Sequence, residues 1–198
     1  MLTLILGGAR SGKSDLAERL ATASGSSVVV IATMDPRDDE MRARVDQHRA
    51  RRHDSWRTVE EQHDVVAVLD THAASGDFVI VDCITLWVSN LLIARLGDAG
   101  AASVEATAAA IEHAADEAHT LAGRAAAFDG DVVIVSNDVG SGVVPAYPLG
   151  RAFRDALGAA NRAVAEQAGC VYWVVAGLAL ELKSLGAREL ESFGGRER

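Results

Sequence analysis

Cysteine is scarce in this chain. Cys83 and Cys170 are the two among 198 residues. Two isolated thiols supply neither a disulfide framework nor a thiolate metal spacing. Each borders or lies inside an apolar strand-like run, so both read as small buried hydrophobes in a reducing compartment. Basic charge is also short: Lys and Arg number 19 against 28 Asp and Glu, a formal net charge of −9, and the pI is about 5.1. General DNA or RNA binding rests on neutralising phosphates, so no nucleic-acid partner is expected. No apolar run approaches the roughly 18 residues of a membrane span. The chain enters its first strand at once, which leaves no room for a signal peptide, and a cytoplasmic location is expected. There is no internal repeat, no linker and no Asn-Lys-x-Asp stretch of the kind that GTP-binding switches use to read guanine; Asn137-Asp138 is too short for that role.

What is present suits one α/β domain large enough to bury a real core, with 49% of residues hydrophobic and 24% charged. It opens on the apolar run Leu2 to Leu6. Then come Gly7, Gly8, Ala9, Arg10, Ser11, Gly12, Lys13 and Ser14, which fit G-x-x-x-x-G-K-[ST] without mismatch. Gly7 and Gly12 let the backbone turn tightly and approach an anion, and successive N–H groups then form a concavity for phosphate oxygens. Lys13 brings a point charge to the β- and γ-phosphates, and the Ser14 hydroxyl is a Mg²⁺ ligand. Lys13 to Ala23 reads as a helix whose N-terminus lies beneath the phosphates.

Further buried strands are expected at Ser27 to Ala32, Phe78 to Asp82, Asp131 to Ser136 and, as the last, Cys170 to Ala176. Trp56 to Val59 is a short strand or a turn. Ala32, Thr33 and Met34 stand at a strand's carboxyl end, where ligands bind in open α/β sheets. Asp82, closing a β-branched run, looks like a second Mg²⁺-holding residue beside the phosphate loop. Helices are expected over Asp38 to Arg52, Glu60 to His72 with a Val65, Val66, Leu69 stripe, Cys83 to Leu96, Ala102 to Phe128 and Gly150 to Ala168. Gly97 to Ala101 is a loop, and Asn137 to Pro145 is a glycine-rich loop. His113 and His119 are surface residues. Strands alternate with helices, which predicts a parallel sheet covered on both faces, in one domain over 1–183 with a polar, frayed tail over 184–198.

The 38–52 helix places Arg44, His48 and Arg52 on one face at a spacing of four. Composition alone makes this a solvated basic face with an incidental histidine.

In order and spacing, GGARSGKS, then IAT with DDEMRARVDQH and W-R-T-x-E, then VDCITLWVSNLL, VSNDVGSGVVP with GRAFRDALGAANRAVA, and V-x-G-x-x-x-x-LK resemble one known family. It is the bifunctional adenosylcobinamide kinase / adenosylcobinamide-phosphate guanylyltransferase family of cobalamin biosynthesis, and the match runs from Met1 to about Lys183. The resemblance implies that ATP or GTP phosphorylates the aminopropanol hydroxyl of adenosylcobinamide. GTP then gives GMP to that phosphate through a GMP–histidine intermediate, yielding adenosyl-GDP-cobinamide and pyrophosphate. It also implies a RecA-like P-loop fold with a mostly parallel sheet, Mg²⁺ and a homotrimer. By family position the nucleophile is His48, and nucleotide contacts fall on Gly7 to Ser14, Ala32, Thr33, Met34, Arg49, Ala50, Arg51, Arg52, Glu60 and Asp82.

Chemistry agrees with His48. Attack on phosphorus needs an uncharged, basic nucleophile, which neutral imidazole is. Arg44 and Arg52 would disfavour imidazolium and stabilise phosphoryl charge. Two departures stand out. Arg52-His53 replaces the family's frequent Arg-Pro, making His53 a rival nucleophile, and Asp138 stands where many members have Glu. The alternative reading is a simple P-loop small-molecule kinase without guanylyltransferase activity. A non-catalytic nucleotide-binding subunit is a further rival.

Overall fold

The computed structural model describes residues 1–35, 53–97 and 102–187. The helix expected over 38–52, most of the 97–101 loop and most of the tail lie outside the described residues.

Among the described residues the elements run β1 (Leu2–Gly7), α1 (Lys13–Ser24), β2 (Val28–Ala32), β3 (Arg57–Glu60), α2 (Val65–His72), β4 (Phe78–Asp82), α3 (Ile84–Leu96), α4 (Val104–Ala127), β5 (Asp131–Val135), α5 (Pro148–Gln167), β6 (Cys170–Val175) and β7 (Leu178–Glu181). The seven strands form one sheet in the order β3-β2-β4-β5-β1-β6-β7. All neighbours are parallel except β6 and β7.

The β-branched runs are buried on both faces, and alternate residues feed two cores. Leu4, Val29, Ile31, Val79, Val81 and Ile134 pack beneath α2, α3, α4 and α5. Ile5, Val28, Val30, Ile80, Val133 and Val135 pack on the other side, under Ala17 and Ala21 of α1. Helix α4 approaches its neighbours closely because its buried stripe is mostly alanine: Ala110, Ala114, Ala118, Ala122 and Ala125, with Leu121. Its first turn is capped by Ser103, whose hydroxyl oxygen accepts the Ala106 N–H at 3.2 Å. Helix α3 is apolar on most sides and buries Ile84, Trp87, Val88, Leu91 and Leu92, as its composition predicts.

Two expectations need correction. The helix predicted from Glu60 begins only at Val65, because Glu60 ends strand β3. The Glu61 carboxylate instead accepts the His63 and Asp64 N–H groups at 2.8 and 2.9 Å, closing a turn ahead of α2. Those bonds favour the ionised form and hold the Glu61 carboxyl below its usual pKa. The buried stripe is Val65, Val68 and Leu69, with Val66 half-buried. Second, Cys170–Val175 is not the last strand. Ala176 and Gly177, at φ 51° and 80°, make a two-residue turn that sends β7 back antiparallel, with Val175 opposite Leu178. Positive φ at both central positions is what a tight hairpin demands. The LALE segment is too short for its periodicity to announce a strand.

Candidate active site at the carboxyl edge of the sheet

Register alone assembles the edge. Ile5 pairs with Val135, Val135 with Asp82, Asp82 with Ala32, and Ala32 with Glu60. One row across five strands therefore brings together Glu60, Ala32 and Asp82 from positions far apart in the chain. The phosphate loop begins where the same strand ends, at Gly7.

That loop is fixed by its surroundings as well as by its glycines. A Cβ on Gly7 would overlap the Val174 carbonyl oxygen of β6, so only glycine lets the strands pass so closely. Gly12, at φ 103°, turns the chain into α1. The Ser11 carbonyl accepts the Gly177 N–H at 2.9 Å, and the Gly7 carbonyl accepts the Asp138 N–H at 3.2 Å. The hairpin after β6 and the loop after β5 thus grip the phosphate loop from two sides. Gly8, Ala9 and Arg10 are exposed at its tip, with Arg10 at φ 56°.

Lys13 is buried and its Nζ donates to the Gly8 carbonyl at 2.6 Å. Burial lowers its pKa, opposed by Cys83 and Asp82 nearby. A desolvated ammonium turned back on its own loop gains most from an anion placed there. Among the described residues, Ser11 Oγ is the buried side-chain polar atom left without a hydrogen-bond partner. Both observations fit a phosphate group as the ligand of this loop.

Ser14 and Asp82 line a common cleft of about 230 Å³ with Glu18, Trp56 and the apolar floor of Val30, Ile80 and Val135. Their hydroxyl and carboxylate are hard oxygen donors of the type Mg²⁺ takes. Among the described residues no group of three His, Cys, Asp or Glu could hold a metal ion. Cys83 follows Asp82 directly. Burial, then the Asp82 charge, push its thiol up to about 11, so it is a neutral neighbour at pH 7.

The other predicted site residues distribute unevenly. Ala32 and Met34 are half-buried at the edge, and Glu60 is exposed there. The Thr33 side chain is fully buried, and its hydroxyl is spent on Cys83, donating to the carbonyl at 2.6 Å and accepting the N–H at 3.1 Å. His48, Arg44, Arg49, Ala50, Arg51 and Arg52 lie outside the described residues. His53 is exposed, with Nδ1 2.9 Å from Ser55 Oγ. His113 is half-buried and 4.0 Å from Glu117, and His119 is exposed.

Sequence reasoning missed the polar pins beneath this edge. Asn90 of α3 donates Nδ2 to the Thr33 carbonyl at 2.9 Å and to the Gln62 carbonyl at 3.2 Å. Trp87 Nε1 donates to the His63 carbonyl at 2.7 Å. Thr85 Oγ1 accepts the Asn137 N–H at 2.8 Å, Ser136 donates to Asn161 Oδ1 at 2.6 Å, and Asn161 Nδ2 donates to the Asn137 carbonyl at 3.0 Å. The available signal was Thr85 and Asn90, polar residues that share the buried face of a mostly apolar helix.

The profile of the cobinamide kinase / cobinamide phosphate guanyltransferase family matches residues 3–182. The chain is 41% identical to the bifunctional adenosylcobalamin biosynthesis protein CobP of Pseudomonas aeruginosa over 190 residues, covering 92% of this chain and 98% of that protein. It is 39% identical to the CobU protein of Escherichia coli and 38% identical to that of Salmonella typhimurium, each over 184 residues covering 92% of this chain and all of the relative. Both relatives carry the same bifunctional description. Among solved structures, an ATPase from a bacterial type III secretion system aligns over 96% of this chain and 59% of its own, with a TM-score of 0.51 at 13% identity, a likeness of fold alone. The mostly parallel sheet, the phosphate loop at its carboxyl edge and the match along nearly the whole length carry one conclusion: the chain belongs to the cobinamide kinase / cobinamide phosphate guanyltransferase family.

Proposed function

We propose that this chain phosphorylates a cobinamide hydroxyl with ATP or GTP and then transfers GMP from GTP to the resulting phosphate, through GMP carried on His48. The observation that carries the reading is the family match over residues 3–182 of a chain whose phosphate loop holds a buried lysine and an unsatisfied buried serine. Lys13 meets the β- and γ-phosphates, and the loop N–H groups hold the triphosphate in line. Ser14 and Asp82 would hold Mg²⁺, which when bound neutralises charge on bridging phosphate oxygens. Adenosylcobinamide is the acceptor in the first step and its phosphate in the second. In the second step the neutral imidazole attacks the α-phosphorus and pyrophosphate leaves. The cobinamide phosphate then displaces the imidazole.

A homotrimer in the cytoplasm belongs to the same proposal, as does a single domain over 1–183 with a tail over 184–198. In support of assembly, Trp173, Val175, Leu178 and Leu180 share one face of the β6–β7 hairpin and are between 42% and 73% exposed. Among the described residues no helix is long and apolar enough to cross a membrane.

Incubation with GTP labelled at the α-phosphate, followed by a denaturing gel, tests the central step. Wild-type protein should retain label that is lost in acid and survives alkali, as a phosphorus–nitrogen bond requires. His48→Asn should remove the label and leave phosphoryl transfer intact, while His53→Asn keeps it. Label lost from the His53 variant and kept by the His48 variant would move the nucleophile. A wild-type chain that turns over without label would favour the simple kinase.

A further inference from the structure

The loop after β5 is held more firmly than an exposed, glycine-rich connection requires. Its first residue, Asn137, has its N–H bound by Thr85 and its carbonyl bound by Asn161, and Ser136 beneath it is fully buried and donates to the same Asn161. The next residue, Asp138, gives its N–H to Gly7, the first residue of the phosphate loop. Its carboxylate is oriented in turn: Oδ1 accepts the Gly140 N–H at 3.2 Å and Oδ2 accepts the Ser141 hydroxyl at 3.0 Å. A carboxylate offers about four acceptor positions, and these two bonds leave the rest open on an exposed side chain. An oriented carboxylate thus sits on a residue whose backbone is tethered to the first residue of the phosphate loop. Its charge does nothing for polyphosphate binding, but it suits a neutral hydroxyl approaching from solvent.

We propose that Asp138 is the catalytic base of the phosphorylation step, and that Thr85, Ser136 and Asn161 are positioning residues that hold it against the phosphate loop. The inference rests on the kinase reading above. As the acceptor hydroxyl oxygen bonds to the γ-phosphorus, its proton passes to Asp138. The bond from the γ-phosphorus to the bridging oxygen breaks, its electron pair leaves with the nucleoside diphosphate, and Asp138 returns its proton to solvent. Asp82 is engaged at the opposite side of β5, one strand over, beside Ser14. Guanylyl transfer needs no such base, because the atoms that attack, an imidazole nitrogen lone pair and an ionised phosphate oxygen, carry no proton themselves.

The test uses purified full-length protein with cobinamide and γ-labelled ATP, beside the α-labelled GTP gel. Asp138→Asn keeps Oδ1 to accept the Gly140 N–H, leaves Nδ2 to donate to the Ser141 hydroxyl oxygen in place of the accepted bond, and removes the charge and the basicity. It should lower kcat for phosphorylation by about two to four orders of magnitude, the usual weight of a general base. KM for ATP and covalent GMP labelling should stay near wild type. Asp138→Glu should recover part of the loss, since it restores a carboxylate. A kcat within about threefold of wild type in Asp138→Asn would overturn the proposal. So would a loss confined to KM, a parallel loss of GMP labelling, or no recovery in Asp138→Glu. If the wild-type chain itself phosphorylates no cobinamide, the kinase reading fails first and this inference falls with it.

Discussion

The phosphate loop and the loop after β5 lie side by side at the same edge and are joined by the Asp138 to Gly7 hydrogen bond, yet they are built by opposite means. The phosphate loop is made of backbone. Eight consecutive residues supply its turn, its N–H groups, its lysine and its helix start, and its shape follows from glycines at two positions. The loop after β5 is made by side chains that arrive from elsewhere: Thr85 from α3 and Asn161 from α5, 52 and 24 residues from Asn137. A backbone-built site fails where one of its glycines gains a side chain, or chemically where its lysine loses its charge. A side-chain-built site fails structurally wherever a partner is removed, because a buried group is then stranded.

The largest effect is expected at Lys13. Lys13→Ala should depress both phosphoryl transfer and GMP labelling by about two to four orders of magnitude, by analogy with other preorganised charge contacts. The thermal midpoint should be unchanged or raised, because the ammonium is desolvated in the free protein. Parallel rate assays and melting curves check both. Normal labelling with lost phosphorylation would mean two triphosphate sites. A large fall in melting temperature would show that Lys13 holds the loop together.

Asn161→Ala should behave the other way. It leaves the buried Ser136 hydroxyl without its acceptor and the Asn137 carbonyl without a donor, at a cost of about 1–3 kcal/mol. In a chain of this size each kcal/mol lowers the melting temperature by roughly 2–4 °C. Calorimetry should register that loss, with GMP labelling retained below the transition. An unchanged melting temperature would mean that the network contributes no stability.

The smallest expected effect sharpens the boundary between the two loops. The Cys83 thiol, raised to about 11 by burial and by Asp82, should react slowly with iodoacetamide at pH 8 and gain speed only as pH approaches that value. Because the thiolate is the reactive form, Asp82→Asn removes one of the raising causes and should quicken alkylation a few-fold, read on the Cys83 peptide by mass spectrometry. The same variant should need more Mg²⁺ for turnover. No change in either rate would separate Asp82 from both groups.

How much was legible follows from where each feature's information lies. Strands β1, β2, β4 and β5 were visible because fully buried parallel strands read as continuous β-branched runs. Helix α1 followed from the motif it completes. Strand β7 escaped because four residues carry no period, and its existence depends on the turn at Ala176 and Gly177. The start of α2 was misplaced because Glu61, which a helix also accepts, spends its carboxylate on a turn. Among candidate site residues, Lys13, Ser14 and Asp82 were proposed from type and spacing, and the fold gathers them at one edge. Thr33 was read as a ligand-facing residue, yet its hydroxyl is committed to Cys83, a contact between positions 50 apart that no local pattern encodes.

By itself the sequence determined the phosphate loop, the two hard oxygen donors beside it and the family, because each is written in short stretches whose chemistry is local. Only the tertiary structure decided that Glu60, Ala32 and Asp82 share one register row. It alone decided that Gly7 must be glycine because Val174 passes over it, and that an exposed aspartate is tethered to the first residue of the phosphate loop. The reason is physical: strand order and helix docking bring together residues whose spacing in the chain carries no period, and hydrogen bonds between such residues exist only once the sheet has closed around them.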